Sequence, residues 1–93
     1  AKNKKVAVLN YGKLEFPLTL RNWKEGDWFI PSGMKGKKKL SDYFIDNKFS
    51  LIEKKRCFVL CSNNDIVWIV GHRIDERYKF VDSLEKAYIC QIK

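Results

Sequence analysis

The sequence predicts a small, β-rich α+β domain with one or two short helices at its centre. Three observations predict it. Apolar runs of strand length recur from Val6 to Ile92, separated by segments bearing Gly, Pro or Asn. Leu40, Tyr43 and Phe44 fall at i, i+3 and i+4, the spacing of one helical face. Ser50-Leu51-Ile52-Glu53 has the S-x-x-E spacing of a capping box, which opens a helix by satisfying backbone donors at its start. The chain of 93 residues, 1–93, is one domain's worth. Its 45% hydrophobic and 14% aromatic content supplies a packed core and argues against disorder.

The elements follow in order. Val6 to Leu9 reads as a first strand. Leu14-Glu15-Phe16 and Leu18-Thr19-Leu20 straddle Pro17, which has no N–H to give to a ladder, so they read as an edge or bent strand. Gly26-Asp27 reads as a turn and Trp28-Phe29-Ile30 as a strand closed by Pro31, with Ser32 to Lys39 as loop. In the first helix Asp42 and Asp46 leave the apolar face. A second helix starts at Ser50. Phe58 to Cys61 and Ile66 to Val70 are strands around a hairpin turn, Ser62-Asn63-Asn64-Asp65. Tyr78 to Val81 and Ala87 to Ile92 complete the set, with Tyr88, Cys90 and Ile92 on one face. No internal repeat, low-complexity tract or linker interrupts the chain.

Composition narrows the function classes. No apolar run approaches the roughly 18 residues of a membrane span, and no signal peptide opens the chain, so no membrane partner is expected. The start, Ala1-Lys2-Asn3-Lys4-Lys5, lacks Met and reads as a piece of a longer protein. Cys57, Cys61 and Cys90 are an odd number with neither redox nor zinc spacing, and His72 is the sole histidine. We expect three free thiols, no metal and a reducing cytoplasm.

The net charge of +8 is unevenly placed. Residues 1–56 hold 14 Lys+Arg against 6 Asp+Glu, while residues 57–93 hold 5 against 5. Positive charge gathered in one part of a chain points to an anionic partner, with nucleic acid ahead of membrane.

The densest stretch puts Gly33 and Gly36 around Met34-Lys35, then Lys37, Lys38 and Lys39 directly before Leu40. Lysine at a helix start opposes the helix dipole unless an anion sits there, and glycines let a backbone approach phosphate. The spacing is not that of a Walker A loop. Lys54-Lys55-Arg56 form a second cluster, which either contacts RNA or complements the C-terminal end of its own helix. Lys48 lies between the two. Arg73, Asp75 and Arg77 share a face if extended, as a structural ion-pair network or as partner contacts. Trp23, Trp28 and Trp68 could stack on bases, but Trp28 and Trp68 sit in apolar strand runs and read as core. His72 reads as a surface or half-buried imidazole. No nucleophile or carboxylate pair sits in a catalytic setting.

Two blocks carry a family resemblance. Arg21-Asn22-Trp23-Lys24, Gly26-Asp27-Trp28-Phe29, Pro31, Gly33-Met34, Gly36 and Lys38-Lys39-Leu40-Ser41-Asp42-Tyr43-Phe44-Ile45-Asp46 with Lys48 form the first. Ile66-Val67-Trp68-Ile69-Val70-Gly71 and Arg73-Ile74-Asp75-Glu76-Arg77-Tyr78-Lys79 form the second. In this order they resemble the C-terminal domain of tRNA(Ile)-lysidine synthetases, a fold similar to a domain of the phenylalanyl-tRNA synthetase β subunit.

The resemblance implies an accessory domain that grips tRNA(Ile) on the acceptor-stem side. The whole enzyme is an ATP-dependent ligase that uses ATP and L-lysine to turn the wobble cytidine into lysidine. Its SGGxDS motif belongs to a separate catalytic domain, and here Ser32-Gly33 runs into Met34-Lys35. The chain is therefore expected to be no enzyme alone and to hold no cofactor. Its partners would be tRNA and the catalytic domain. Where this chain has Trp28 the family often has Arg. Candidate tRNA contacts are Lys35, Lys37, Lys38, Lys39, Lys48, Lys54, Lys55, Arg56, Arg73 and Arg77. The competing reading is a structural module that docks the catalytic domain.

Overall fold

The computed structural model describes residues 4–81 and 84–93; the opening Ala1-Lys2-Asn3 lies outside them. Its middle layer is an antiparallel sheet in the order β2–β5–β6, formed by β2 (Thr19–Asn22), β5 (Phe58–Ser62) and β6 (Asp65–Ile69). The β5–β6 hairpin turns at Asn63-Asn64, with Asn63 in the left-handed region at φ 54° that Asn tolerates. A register shift between Leu60 and Cys61 bends β5.

Each face of this sheet is covered by a different partner. On one side lie the two-stranded ribbon β3 (Trp28–Phe29) with β4 (Lys38–Lys39) and helix α1 (Leu40–Asp46). Phe29, Leu40, Tyr43 and Phe44 pack there on Val59, Cys61, Ile66 and Ile69. The helical face expected from Leu40, Tyr43 and Phe44 is the buried face. On the other side, β1 (Val6–Asn10) pairs antiparallel with β7 (Ala87–Gln91). Ala7, Leu9 and Leu14 pack on Val67 and Trp68, and Tyr88, Cys90 and Ile92 join them from one face of the last strand. Strand β6 walls both cores, and that explains its nearly unbroken apolar sequence. Full burial of a side chain such as Phe29, Leu40 or Ile69 contributes roughly 1.5–3 kcal/mol.

Helix α2 (Leu51–Lys55) carries the expected capping box. Glu53 N donates to Ser50 Oγ at 3.1 Å, and Ser50 N donates to Glu53 Oε1 at 2.9 Å. None of its residues is buried, so the caps, the chain it joins and the Trp23 indole bond to Lys54 O hold it.

Four expectations change. Leu14-Glu15-Phe16 is not a strand. Tyr11–Lys13 is a 3-10 turn, Leu14 drops into the second core, and Phe16-Pro17 is a cis bond that separates it from β2. Lys38 and Lys39 are strand rather than loop. Tyr78 to Val81 is no strand either: Glu76–Tyr78 form a 3-10 turn capped by Asp75, and only Lys79 bridges to Leu9. Trp28 is half-buried and stays outside both cores, whereas Trp68 is core as expected.

Candidate nucleic-acid interface

The β3–β4 ribbon decides where the lysines point. Trp28 stands opposite Lys39, and Phe29 stands opposite Lys38. Directly opposed residues of an antiparallel pair share a face, and residues two apart on a strand share it too. Phe29 is fully buried, so its face is the inner one, and Trp28 and Lys39 take the outer face. Lys37, two residues before Lys39, places its Nζ 4.3 Å from the centre of the Trp28 ring. The Arg77 guanidinium carbon lies 4.8 Å from the same ring. The outer face is thus an indole with Lys37, Lys39 and Arg77 around it. Lys38 turns the other way and pairs with Asp46 of α1.

A buried carboxylate fixes this face from beneath. Asp75 is 0% exposed and accepts four hydrogen bonds. Ile30 N donates to Oδ2 at 2.9 Å and Arg77 N to Oδ1 at 2.7 Å. Arg77 Nε and Nη2 add a two-pronged pair at 2.9 Å each. This pairing, offset in part by burial, holds Arg77 more firmly protonated than an ordinary Arg. Arg77 also approaches Asp65 at 3.4 Å, and the Tyr78 hydroxyl donates to Asp65 at 2.7 Å. Burial first, then that bond, push the Tyr78 hydroxyl up to about 12. Arg73, Asp75 and Arg77 do not share an extended face, because Asp75 turns inward to anchor Arg77.

The loop between Pro31 and Lys37 rests on the same segment. Ser32 N donates to Ile74 O at 3.0 Å, and Glu76 N to Ile30 O at 2.6 Å. Arg73 Nη2 donates to Ser32 O at 2.6 Å. Gly33 takes the positive φ of 86° that glycine allows, and its N–H donates to Glu76 Oε1 at 2.7 Å. That N–H is therefore occupied. So is Leu40 N at the start of α1, which donates to Asp27 O at 3.0 Å. Gly33 N and Leu40 N, two of the backbone donors anticipated for phosphate, are satisfied internally, while no side chain caps the start of α1.

Asp27 secures the ribbon's other end. Burial alone would raise its carboxyl, but the Arg21 fork at 2.9 and 3.0 Å and the Lys24 N–H at 2.8 Å outweigh burial and hold it below the ordinary value.

The other candidates lie apart from this face. Lys35 is exposed on the loop, and Lys48 is exposed just past α1 in a left-handed conformation at φ 56°. Lys54 and Lys55 close α2 and Arg56 follows, in the last-turn position that suits a helix dipole. The Lys54 carbonyl accepts from Trp23 Nε1 at 2.8 Å, so Trp23, packed edge-on to Phe44, is a structural residue. His72 is half-buried against Phe49. Cys57, Cys61 and Cys90 are unbridged thiols. Burial pushes Cys57 up to about 11. Two features of the candidate face escaped the sequence reading: Trp28 as its centre, and Asp75 as its anchor. Only the alternation of Lys37 and Lys39 about Lys38 hinted at the first.

Comparison with known proteins gives the family and the fold. The model of the TilS substrate C-terminal domain matches residues 18–89. A tRNA(Ile)-lysidine synthase of Parabacteroides distasonis is 62% identical over 95% of this chain and 20% of its own length. One of Bacteroides thetaiotaomicron is 41% identical over 98% of this chain and 21% of its own. The chain thus spans about a fifth of these relatives. A crystal structure of a TilS C-terminal domain superposes with a TM-score of 0.81 over 96% of this chain and 69% of the other, at 22% identity, and shares the α+β fold. The family model covers most of the sequence and the whole of the first core, and the chain belongs to the TilS substrate C-terminal domain family.

Proposed function

We propose that this chain, residues 1–93, is the tRNA-gripping accessory domain of a tRNA(Ile)-lysidine synthase. It holds the acceptor-stem side of tRNA(Ile) in the cytoplasm while another part of the protein joins L-lysine to the wobble cytidine at the expense of ATP. The observation that carries the reading is the outer ribbon face, where Lys37, Lys39 and Arg77 surround Trp28.

Residues two apart on a strand repeat roughly every 7 Å, so Lys37 and Lys39 reach neighbouring phosphates of one strand without bending the backbone. The indole limits the wandering of Lys37, which lowers the entropy lost on binding. Contacts of this type position a stem and carry little sequence information, as suits an A-form helix whose major groove is too narrow to read. Lys35 and Arg73 extend the face along the loop. Lys38, held by Asp46, contributes to the ribbon's seat, and Arg77 adds charge while anchored to Asp75. Lys48, Lys54, Lys55 and Arg56 are secondary candidates. The chain's own residues supply no catalytic centre and hold no cofactor in this reading.

The test is the Lys37→Ala/Lys39→Ala pair in the full-length protein. Each lost contact to duplex phosphate removes about 0.9 from the slope of log K against log salt, so the pair should lower it by roughly 1.8. A folded double variant with unchanged tRNA affinity and slope rejects the reading. A groove between β2 and β7, lined by Leu18, Leu20, Trp68 and Val70, favours a second reading in which that side docks the catalytic part. Leu20 is 59% exposed, so Leu20→Glu should lower full-length stability without touching the salt slope.

A further inference from the structure

A cavity of about 460 Å³ opens between β1 and residues 72–80, beside the lysine loop. Its lining divides by chemistry. Lys4, His72, Arg73 and Lys79 supply nitrogen donors, and among the described residues no carboxylate lines it. Val6, Val8, Ile74 and Phe80 supply an apolar wall. Alternation along β1 explains the wall: Ala7 and Leu9 are buried in the second core, which leaves Val6 and Val8 on the opposite face.

The cations are not equally engaged. Lys79 pairs with Glu76 at 2.8 Å, and Arg73 spends one nitrogen on the Ser32 carbonyl. Lys4 and the rest of the Arg73 fork have no acidic partner among the described residues. Burial, then Lys4, push His72 below its ordinary value. Glu53 pulls the other way more weakly, so burial is the main cause. Phe80 is half-buried, yet its ring meets no other aromatic ring among the described residues. A cationic rim joined to an apolar wall with an unpaired ring suits a ligand that is anionic at one end and flat and aromatic at the other. The volume lies in the range of small-molecule sites, roughly 300–1,000 Å³.

We propose that this cavity takes one unpaired nucleotide of RNA, its base against Phe80 and Ile74 and its phosphate at Arg73 and Lys4. The proposal rests on the RNA-binding reading and deepens it. The ribbon grips stem phosphates without regard to pairing, and the cavity admits a nucleotide only where the RNA is unpaired. Base–aromatic stacking makes such a pocket tolerant of base identity.

The test uses the 93-residue chain and AMP as probe, followed by backbone amide NMR. AMP at millimolar concentration should move amides of 6–8, 72–74 and 80, and adenosine and inorganic phosphate should each move them far less at the same concentration. Arg73→Gln should weaken AMP by about tenfold or more. If that variant disturbs the loop, Val8→Trp fills the cavity without changing charge and should abolish the same shifts. Equal shifts with phosphate and AMP mean a bare anion site and overturn the proposal. So do shifts confined to residues 35–39, or no shifts at all. The two readings fail separately, because Lys37→Ala/Lys39→Ala should leave the AMP shifts in place.

Discussion

The two lysine clusters, at 35–39 and at 54–56, look alike in sequence and are built on different supports. The first lies along and beside a ribbon whose alternation sorts it, with Lys37 and Lys39 outward around Trp28 and Lys38 inward to Asp46. The second ends a helix of five residues with no buried side chain, where its charges complement the helix's own dipole. A run of cations becomes a surface for an anion when the backbone aligns some charges and internal carboxylates absorb the others. Composition does not reveal which has happened.

Removing the anchor of the first cluster is the strongest way to break the comparison. Asp75→Ala leaves the Ile30 N–H and the Arg77 fork without their buried acceptor. Breaking a buried pair from one side costs about 3–5 kcal/mol, a large share of a small domain's stability. Urea unfolding should show that loss. A cost below about 1 kcal/mol would mean the ribbon is held elsewhere.

The second cluster runs directly into Cys57, whose N–H donates to Lys54 O and whose thiol is 5% exposed in the first core. That thiol is raised from 9.0 to about 11. A raised folded value means the contribution is fully present below the unfolded value and is lost as pH climbs through the folded one. Stability should therefore fall between about pH 9 and 11, by some 2–3 kcal/mol at most. Burial raises Cys61 and Cys90 in the same direction. Cys57→Ala should keep part of the alkaline loss and remove the rest, as read by urea unfolding at pH 8 and pH 10. An unchanged pH dependence would place the titration on other groups.

A third experiment compares the clusters directly by tRNA binding in the full-length protein. Lys37→Ala/Lys39→Ala should flatten the salt slope by about 1.8, while Lys54→Ala/Lys55→Ala and Lys38→Ala should each leave it nearly unchanged. Equal losses from both pairs would erase the distinction drawn here and make charge density alone the determinant.

What could be read from the sequence was local. Leu40, Tyr43 and Phe44 define their own face, Ser50 and Glu53 cap their own helix, and Asn63-Asn64 makes its own hairpin turn. The family, too, was legible, because its two blocks keep their order. What stayed hidden depends on partners distant along the chain. Lys38-Lys39 become a strand only because Trp28-Phe29 lie beside them. Trp28 leaves the core because Phe29 takes the inner face of the ribbon, and Arg77 then lies over its ring. Tyr78 fails to extend because Asp75 caps a turn there. Arg73, Asp75 and Arg77 have the alternation of a strand, and a buried carboxylate overrides it. The candidate site was legible as a stretch of sequence and not as a face.

The smallest expected effect sharpens the comparison most cleanly. Ser50→Ala removes one side of the capping box, since Ser50 Oγ no longer accepts from Glu53 N. Loss of such a cap costs about 1 kcal/mol, and the glutamate's return bond to Ser50 N loses its reciprocal partner. Helix α2 has no buried residues to compensate, so it should fray, and amide exchange at Leu51–Lys55 should quicken. Lys54, Lys55 and Arg56 would then lose their fixed arrangement while keeping every charge. If the second cluster is only a dipole complement, tRNA affinity and salt slope in the full-length protein should not move. If affinity falls in step with the fraying, the geometry of α2 matters to binding, and the interface extends from the ribbon to Lys54, Lys55 and Arg56.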